Sequence, residues 1–178
     1  DNEKLVFTRR LKNGGHFNED FFYSSWEGNN WQKARNLGAP VNTFQNEGAH
    51  SISANGKYIY FTRCADGGMK REGYGSCDIY RTMMKGDRWV KPKNMGRAIN
   101  TEKWESQPCM SADGQTLYFT SNRNGGFGGK DIWFIRIVDG MWSDPINLGP
   151  KINSPGNEES PFIHPDGQTL YFSSDYLI

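Results

Sequence analysis

One eleven-residue segment occurs three times in the chain, and this repetition constrains the fold more than any other feature. The copies read SANGKYIYFTR at 53–63, SADGQTLYFTS at 111–121 and HPDGQTLYFSS at 164–174. A shorter fourth copy, KLVFTRR, occupies 4–10. The three full copies begin 58 and then 53 positions apart, and recurrence at a spacing of this order is typical of solenoids, propellers and arrays, in which each copy folds as one supersecondary unit.

Single residues recur at the same spacing. The aspartates Asp20, Asp78 and Asp131 stand 58 and then 53 positions apart. A tryptophan follows each aspartate by 11 positions, and these are Trp31, Trp89 and Trp142. A glutamate also recurs in each copy, as Glu47, Glu105 and Glu158. The chain therefore divides into repeats at 1–50, 51–108, 109–161 and 162–178, of which the first and last are incomplete.

Each repeat encodes four short antiparallel strands, which we label a to d in chain order. Strands a and b flank an Asn-Gly or Asp-Gly pair, which favours a type I′ hairpin turn. Strand c begins at the repeated aspartate, and strand d begins at the repeated tryptophan and runs through NLG or NMG. No segment has helical apolar spacing over ten or more residues. These features predict an all-β fold, a β-propeller of four-stranded antiparallel blades.

The number of blades is the next inference from the repeats. The chain encodes strands b to d of one repeat, two complete repeats and strands a and b of a fourth, about three blades in all. Closed propellers usually contain roughly four to eight blades. We therefore expect these residues to form part of a larger propeller of about six to eight blades. The alternative is that the ring closes with another chain.

Composition excludes several classes of function. A formal net charge of +1 gives no broad basic field, which argues against a nucleic-acid partner. The mean hydropathy of −0.78 and the absence of a long apolar run argue against a membrane span. Residues 1–10 lack the features of a signal peptide, so we expect any targeting segment to be removed or to lie outside these residues.

The three cysteines are too few for a disulfide scaffold, and they include no CxxC pair of the kind found in zinc sites. Cys64 and Cys77 stand at the two ends of one glycine-rich connection between apolar runs. Antiparallel strands would bring them within bonding distance, so we predict a disulfide between them. Such a bond would indicate an oxidising compartment. The alternative is a pair of buried free thiols in a reducing compartment.

The segment SADGQTLYFTSNRNGGFGGKDIW at 111–133 resembles the WD-like β-propeller repeat of the TolB type. It is most similar to the form in OmpA-family, peptidoglycan-associated outer-membrane lipoproteins of Bacteroidetes, including the PorE-like component of type IX secretion and gliding. The resemblance covers essentially the whole chain. It implies a non-enzymatic interaction domain that is periplasmic and outer-membrane associated. Peptidoglycan binding would belong to domains outside these residues.

The recurring side chains have both functional and structural interpretations. We expect Asp20, Asp78 and Asp131 to accept hydrogen bonds from the preceding loop or from an arginine such as Arg123. We expect Trp31, Trp89 and Trp142 to pack between blades. For Glu47, Glu105 and Glu158 two interpretations stay open. In the first, these side chains line a channel mouth with negative charge. In the second, they turn sideways and accept hydrogen bonds from the backbone of the IN(T/S) turn.

The long connections are the predicted binding surface. The b–c and d–a connections leave one side of the sheets, and we call this side the rim. It comprises residues 9–19, 63–77, 121–130, 38–49, 96–107 and 149–160. Loops on a rigid scaffold commonly carry binding, and aromatic residues with arginine are typical of hot spots. The candidate residues for binding a protein or peptide partner are Phe44, Met69, Tyr74, Arg97, Trp104, Arg123 and Phe127.

An enzymatic interpretation has less support. SADGQTLY resembles the Asp-box of sialidases, but Asp113 and Gly114 are adjacent and Leu117 replaces the usual tryptophan. No pair of carboxylates outside the repeat suggests glycoside hydrolysis. A peptidase propeller would require a hydrolase domain, which these residues do not encode. The sequence therefore predicts no catalytic residues, no metal and no cofactor, with a glycan-acting propeller as the alternative.

Overall fold

The computed structural model describes residues 3–13, 16–65 and 72–176, with Asn13 and His16 described by backbone alone. Every regular element in these ranges is a β-strand, and the strands form antiparallel sheets. The predicted all-β fold is confirmed. No helix long and apolar enough to cross a membrane occurs in the described ranges.

The first sheet begins with a long hairpin. Strand β1 (Lys4–Asn13) pairs with β2 (His16–Glu27), and β3 (Asn30–Trp31) and β4 (Arg35–Asn36) both pair with β2. In the order of the repeat, β1 is strand b and β2 is strand c. The register pairs Phe7 with Phe22, as the second sheet pairs Phe61 with Tyr80.

The next two sheets contain all the elements of a repeat. The second consists of β5 (Asn46–Ile52), β6 (Tyr58–Cys64), β7 (Cys77–Lys85), β8 (Arg88–Trp89) and β9 (Lys93–Asn94). The third consists of β10 (Glu105–Met110), β11 (Thr116–Ser121), β12 (Asp131–Val138), β13 (Met141–Trp142) and β14 (Ile146–Asn147). A two-stranded sheet follows, made of β15 (Glu158–Ile163) and β16 (Leu170–Ser174).

Strand d differs from its prediction. In each of the three repeats it consists of two two-residue segments that pair with different parts of strand c. Pro92 and Pro145 lie between the segments in the second and third repeats, and proline has no N–H to donate to a ladder. The first repeat is interrupted at 32–34 without a proline, so proline is not the general cause.

The a–b turns also differ from the predicted type I′ geometry, which needs positive φ at both central residues. In the second repeat positive φ falls on Gly56 (68°) and not on Asn55. The Gly56 N–H donates to the Ser53 carbonyl, and the Asn55 side chain accepts from Lys57 N–H. Positive φ at two successive residues occurs instead in the c–d turn, at Asp139 (50°) and Gly140 (77°).

Apolar clusters join the successive sheets. One buried cluster contains Phe21 of the first sheet together with residues of the second, including Ile59 and Phe61. Another contains Tyr60 and Ile79 of the second sheet and residues of the third. Neighbouring residues of β6 thus face opposite sides, and both sides are covered. This two-sided burial is what stacks the sheets as successive blades.

Strand a carries an irregularity that recurs in three repeats. Each strand a has a shift in register, and a residue there adopts positive φ: Ala49 (43°), Gln107 (55°) and Ser160 (56°). Bulges of this kind bend a strand and increase its twist. The Ser160 N–H donates to Gln107 Oε1 at 2.8 Å, so the bulges of neighbouring blades are bonded to each other.

Candidate interaction rim

The b–c and d–a connections meet at the rim and bond to each other through the backbone. In the second repeat the Ser76 N–H donates to the Lys103 carbonyl at 3.1 Å. In the third, the Gly129 N–H donates to the Gly156 carbonyl at 2.7 Å. In these two repeats the b–c connection is therefore held against the d–a segment that follows its own blade.

Two glycines make these crossings possible. A Cβ on Gly75 would lie 1.8 Å from the Lys103 carbonyl oxygen, and one on Gly128 would lie 2.2 Å from the Gly156 carbonyl oxygen. Contacts this short exclude any side chain. The glycines of the repeat are required by the close approach of two backbones.

The aspartate at the start of strand c organises each glycine loop. Asp131 accepts hydrogen bonds from Phe127 N–H (2.7 Å), Gly128 N–H (3.0 Å) and Asn147 Nδ2 (2.6 Å). Asp78 has the same three kinds of partner, Tyr74 N–H (2.8 Å), Gly75 N–H (2.9 Å) and Asn94 Nδ2 (2.6 Å). Both aspartates are buried, and their described hydrogen-bond partners include the loop backbone and no arginine.

Asparagines extend this network, in a role that was not predicted from the sequence. Asn94 Oδ1 accepts from Asn100 Nδ2 at 2.8 Å. Asn100 also accepts from the Ile79 N–H (2.7 Å) and donates to the Ile79 carbonyl (2.9 Å). The first and third repeats contain the same bonds. Both asparagines recur in the first three repeats, in the NLG or NMG motif and in the VN or IN motif, and this recurrence could have indicated their structural role.

The b–c connection of the first repeat departs from the predicted loop. Residues 9–13 and 16–19 belong to the long β1–β2 hairpin. Asp20 binds two side chains, Asn18 Nδ2 at 2.8 Å and Asn36 Nδ2 at 2.7 Å. Phe17 stands three residues before Asp20, where the second and third repeats have Gly75 and Gly128, so the close crossing is blocked and the chain continues as strands.

The three glutamates are fully buried, with 0% exposure. Glu47 accepts from the Thr43 N–H at 2.9 Å and the Thr43 hydroxyl at 2.6 Å. Glu105 and Glu158 accept the same two kinds of bond from Thr101 and Ser154. The interpretation as a charged channel mouth is therefore wrong, because these side chains turn sideways to the IN(T/S) turn.

Two of the glutamates have an arginine partner. Arg63 Nε donates to Glu47 at 2.8 Å, and Arg123 Nη2 lies 3.5 Å from Glu105. Burial raises the pKa of Glu47, although Thr43 and Arg63 oppose the shift. Burial also lowers the pKa of Arg123. Arg123 was predicted to face a partner at the rim, but its side chain is turned inward and largely buried.

The other candidate rim residues differ in exposure. Phe44 is 59% exposed, and Phe127 and Arg97 are also exposed. Tyr74 is half-buried, with the Arg97 guanidinium 4.8 Å from the centre of its ring. Trp104 is half-buried, and Lys130 Nζ lies 4.6 Å from the centre of its ring. Met69 lies outside the described residues.

The repeated tryptophans do not all occupy equivalent surroundings. Trp89 packs against the cluster between the first and second sheets, and Trp142 packs against the next cluster. Trp31 is 45% exposed and makes an edge contact with Trp26 at 5.4 Å. For Trp31 the interblade packing stays a prediction, because the described residues contain no sheet on the preceding side.

Cys64 and Cys77 are joined by a disulfide. The bond closes the b–c connection of the second repeat where β6 ends and β7 begins. The backbone of Cys77 also forms an isolated parallel β-bridge with Trp104 of the d–a segment. Cys109 is a free, buried thiol, and burial raises its pKa. No cluster of potential metal ligands is found among the described residues.

Comparison with known proteins identifies the class of fold. No family model and no curated protein matches the chain. A TolB-type protein of Agrobacterium tumefaciens gives a TM-score of 0.62 at 21% identity, over 95% of this chain and 50% of that one. TolB of Acinetobacter baumannii gives 0.52 at 18% identity, over 86% of this chain and 34% of that one. The Hadza microbial sialidase Hz136 gives a TM-score of 0.57 at 13% identity, over 96% of this chain and 39% of that one.

These similarities establish the fold as that of a β-propeller. The blades of this chain are similar in fold to those of the two TolB structures and of the sialidase. The chain spans half or less of the length of each of these solved structures.

Proposed function

We propose that the chain is a non-enzymatic protein-interaction domain of a periplasmic, outer-membrane-associated assembly. The assembly would serve type IX secretion and gliding, or the domain would belong to an OmpA-like protein of the cell envelope. The observation that carries the proposal is the rim, where Phe44, Arg97 and Phe127 are exposed. Buried or half-buried side chains hold the adjoining backbone, since Glu47 accepts from the Thr43 N–H, Asn94 from the Gly96 N–H and Asp131 from the Phe127 N–H. Rigid loops with aromatic and arginine side chains suit recognition of a protein or peptide.

The proposal includes the architecture of the whole propeller. We propose that these blades belong to a ring of about six to eight blades. The two TolB structures are at least about twice as long as the part this chain matches, which supports a propeller longer than these residues. Peptidoglycan would be bound only through other domains.

The test is quantitative capture of partners from an outer-membrane extract. Phe44→Ala, Arg97→Ala and Phe127→Ala together should reduce capture by about tenfold or more, because hot-spot side chains carry most of the binding energy. Met141→Ala is the matched control, since Met141 is 72% exposed but lies at a c–d turn on the opposite side. Equal capture by the triple variant and the control would refute the role of the rim.

The alternative function is a sialidase-like or other glycan-acting propeller. The structural similarity to Hz136 is the observation that favours it. Incubation with fluorogenic sialosides and other glycosides separates the two functions. We expect no turnover. Turnover that a single carboxylate substitution abolishes would establish the enzyme and overturn the proposal.

A further inference from the structure

The outer part of the second sheet carries a concentration of positive charge. Residues 81–93, which run from β7 through the c–d turn to β9, contain five cationic residues and one acidic residue. The same stretch of the third repeat, 134–146, contains one cationic and two acidic residues, and that of the first repeat, 23–35, contains two cationic and one acidic. The charge is therefore local to the second repeat, since the whole chain has a net charge of only +1.

The strand register sets four of these cations against one another. Lys85 of β7 lies opposite Arg88 of β8, and Arg81 of β7 lies opposite Lys93 of β9. Side chains at opposed positions stand on the same face of a sheet, and like charges there destabilise it. None of the four belongs to an ion pair among the described residues. The second sheet thus contains two pairs of like charges that no ion pair compensates.

The third sheet shows that the fold does not need these charges. At the equivalent positions Val138 lies opposite Met141, and Phe134 lies opposite Ile146. Lysine at a sheet edge commonly prevents association of edges, but the third sheet has no lysine at these positions. Edge protection therefore does not account for all four cations of the second sheet.

The cations of β7 face the third sheet. Ile79 belongs to the buried cluster between the second and third sheets, and Arg81 and Lys85 lie two and six positions further along β7. Alternate residues of a strand point to the same side, so both cations are on that side. Ile79 is fully buried, Arg81 is half-buried and Lys85 is exposed. The space between the two sheets therefore opens toward the c–d turn, and we call this opening the outer groove.

Both sheets that form the outer groove contain strands a to d. Half-buried Tyr58 of the second sheet and Trp142 of the third pack against the cluster at its inner end. The Arg81 guanidinium carbon lies 5.3 Å from the centre of the Tyr58 ring. Lys85, Arg88 and Lys93 are exposed. The outer groove thus combines an aromatic inner end with cations along one wall.

The spacing of the charges indicates an extended anion. Arg81 and Lys85 are four residues apart on one strand, a separation of about 13 Å. One carboxylate or phosphate is too small to contact both pairs of cations. An extended polypeptide places side chains four residues apart at the same separation, so two acidic residues of one segment would meet both pairs. The outer edge offers no continuous ladder for an added strand, because β8 and β9 have two residues each and Pro92 lies between them. Recognition would therefore depend on side-chain charge.

We propose that the outer groove binds an acidic, extended segment of a partner polypeptide. Carboxylates of the segment neutralise both pairs of opposed cations, and its apolar atoms contact the aromatic inner end. Hydrogen bonds between charged groups of this kind are about twice as strong as neutral ones. The outer groove opens at the c–d turn, on the side opposite the rim, so this site is additional to the proposed rim function.

The test titrates acetyl-Glu-Glu-Gly-Glu-Glu-amide and its glutamine analogue into the chain and follows binding by NMR. The glutamate peptide should shift the resonances of Lys85, Arg88 and Lys93, and it should raise the melting temperature because it binds the folded state. The glutamine peptide should bind about tenfold more weakly or not at all, since it lacks the charge. Equal binding of the two peptides, or no binding of the glutamate peptide, would overturn the proposal.

Paired substitutions localise the effect. Arg88→Gln together with Lys93→Gln removes one cation from each opposed pair and should weaken binding of the glutamate peptide by about tenfold or more. The same variant should melt at a higher temperature, because it relieves the repulsion across the strands. Lys4→Gln together with Lys33→Gln removes the same charge from exposed positions of the first sheet and should leave binding unchanged. Undiminished binding by the first variant, or an equal loss in the second, would assign the peptide to another surface and refute the outer groove.

An anionic membrane surface is the other extended anion that the test distinguishes. Sedimentation of the chain with phosphatidylglycerol vesicles, abolished by Arg88→Gln with Lys93→Gln and not accompanied by binding of the glutamate peptide, would assign the cations to lipid and overturn the proposal. The rim variants leave the outer groove intact and should bind the glutamate peptide as the unmodified chain does. If the peptide fails to bind but the rim variants still lose partner capture, the proposed function stands without this inference.

Discussion

The b–c connection of the first repeat and that of the third leave equivalent strands and end at equivalent aspartates, yet they fold differently. In the third repeat a glycine loop crosses the next segment, and Asp131 accepts two of its backbone N–H groups. In the first repeat the strands continue as a hairpin, and the Asn18 side chain donates to both Asp20 and the Thr43 carbonyl. A side-chain amide thus replaces the backbone crossing.

The comparison separates two roles of the aspartate. In both repeats its carboxylate accepts from the asparagine of strand d, at 2.7 Å from Asn36 and 2.6 Å from Asn147. Of the two repeats compared, only the third adds bonds from the glycine loop to this aspartate. The bond to asparagine therefore fixes strand d in every blade, whereas the loop is a separate feature that the second and third repeats share.

The largest effect should come from the covalent closure of the second repeat. Replacing Cys64 and Cys77 together by serine should lower the free energy of unfolding by about 3 kcal/mol, because the disulfide restricts the unfolded chain. In the third repeat Lys130 stands at the position of Cys77 and forms a partly exposed ion pair with Glu159 of β15. Lys130→Ala should cost less than about 1 kcal/mol. Urea unfolding of both variants tests this, and losses of equal size would contradict it.

A methyl group at the backbone crossing should have the next largest effect. Gly128→Ala should lower the free energy of unfolding by about 2–3 kcal/mol, because its Cβ would lie 2.2 Å from the Gly156 carbonyl oxygen and the two segments would have to separate. Gly48→Ala is the control, since the nearest atom to its added Cβ is Glu19 Oε2 at 3.7 Å, an ordinary contact. The crossing is not rigid if the two variants unfold at the same urea concentration.

The aspartates test the comparison directly. Asp131→Ala should cost about 2 kcal/mol or more, since it leaves two loop N–H groups and Asn147 without their acceptor. Asp20→Ala should cost about 1 kcal/mol, because its partners are side chains that can turn to water. Hydrogen exchange should show faster exchange of Phe127 N–H and Gly128 N–H in Asp131→Ala. Equal losses of stability would mean that the loop bonds contribute nothing.

The repeat made the fold predictable, because alternating apolar residues and recurring turns define strands without any tertiary information. Other features depended on neighbours. Arg123 reads as a surface arginine in the sequence, and only the blade geometry brings it to Glu105. Trp31 occupies the same position within its repeat as Trp89, but the described residues contain no sheet on the preceding side for it to pack against. The positive φ of Gln107 could not be predicted from the sequence, because glutamine, unlike glycine or asparagine, is not a residue type that indicates positive φ.

The smallest predicted effect is a pH dependence confined to the contact between the first two blades. His50 packs edge-on against Phe21 at 5.1 Å, where the third and fourth repeats have Pro108 and Pro161. Burial lowers the pKa of His50 from 6.5, so the unfolded chain takes up the proton more readily than the folded chain. The resulting stability is present above about pH 6.5 and is lost as the pH falls toward the lower folded value.

The measurement compares the chain with His50→Gln by urea unfolding at about pH 7.5, 6.5 and 5.5, which spans the range in which histidine titrates. The stability advantage of the chain over the variant should shrink by up to about 1 kcal/mol across this range. Glu47 has a raised pKa and so acts in the opposite sense, but it is present in both proteins and cancels in the difference. Parallel pH curves would show that His50 stays accessible to its proton in the folded state. The contact between the first two blades would then be no more sensitive to acid than the next one.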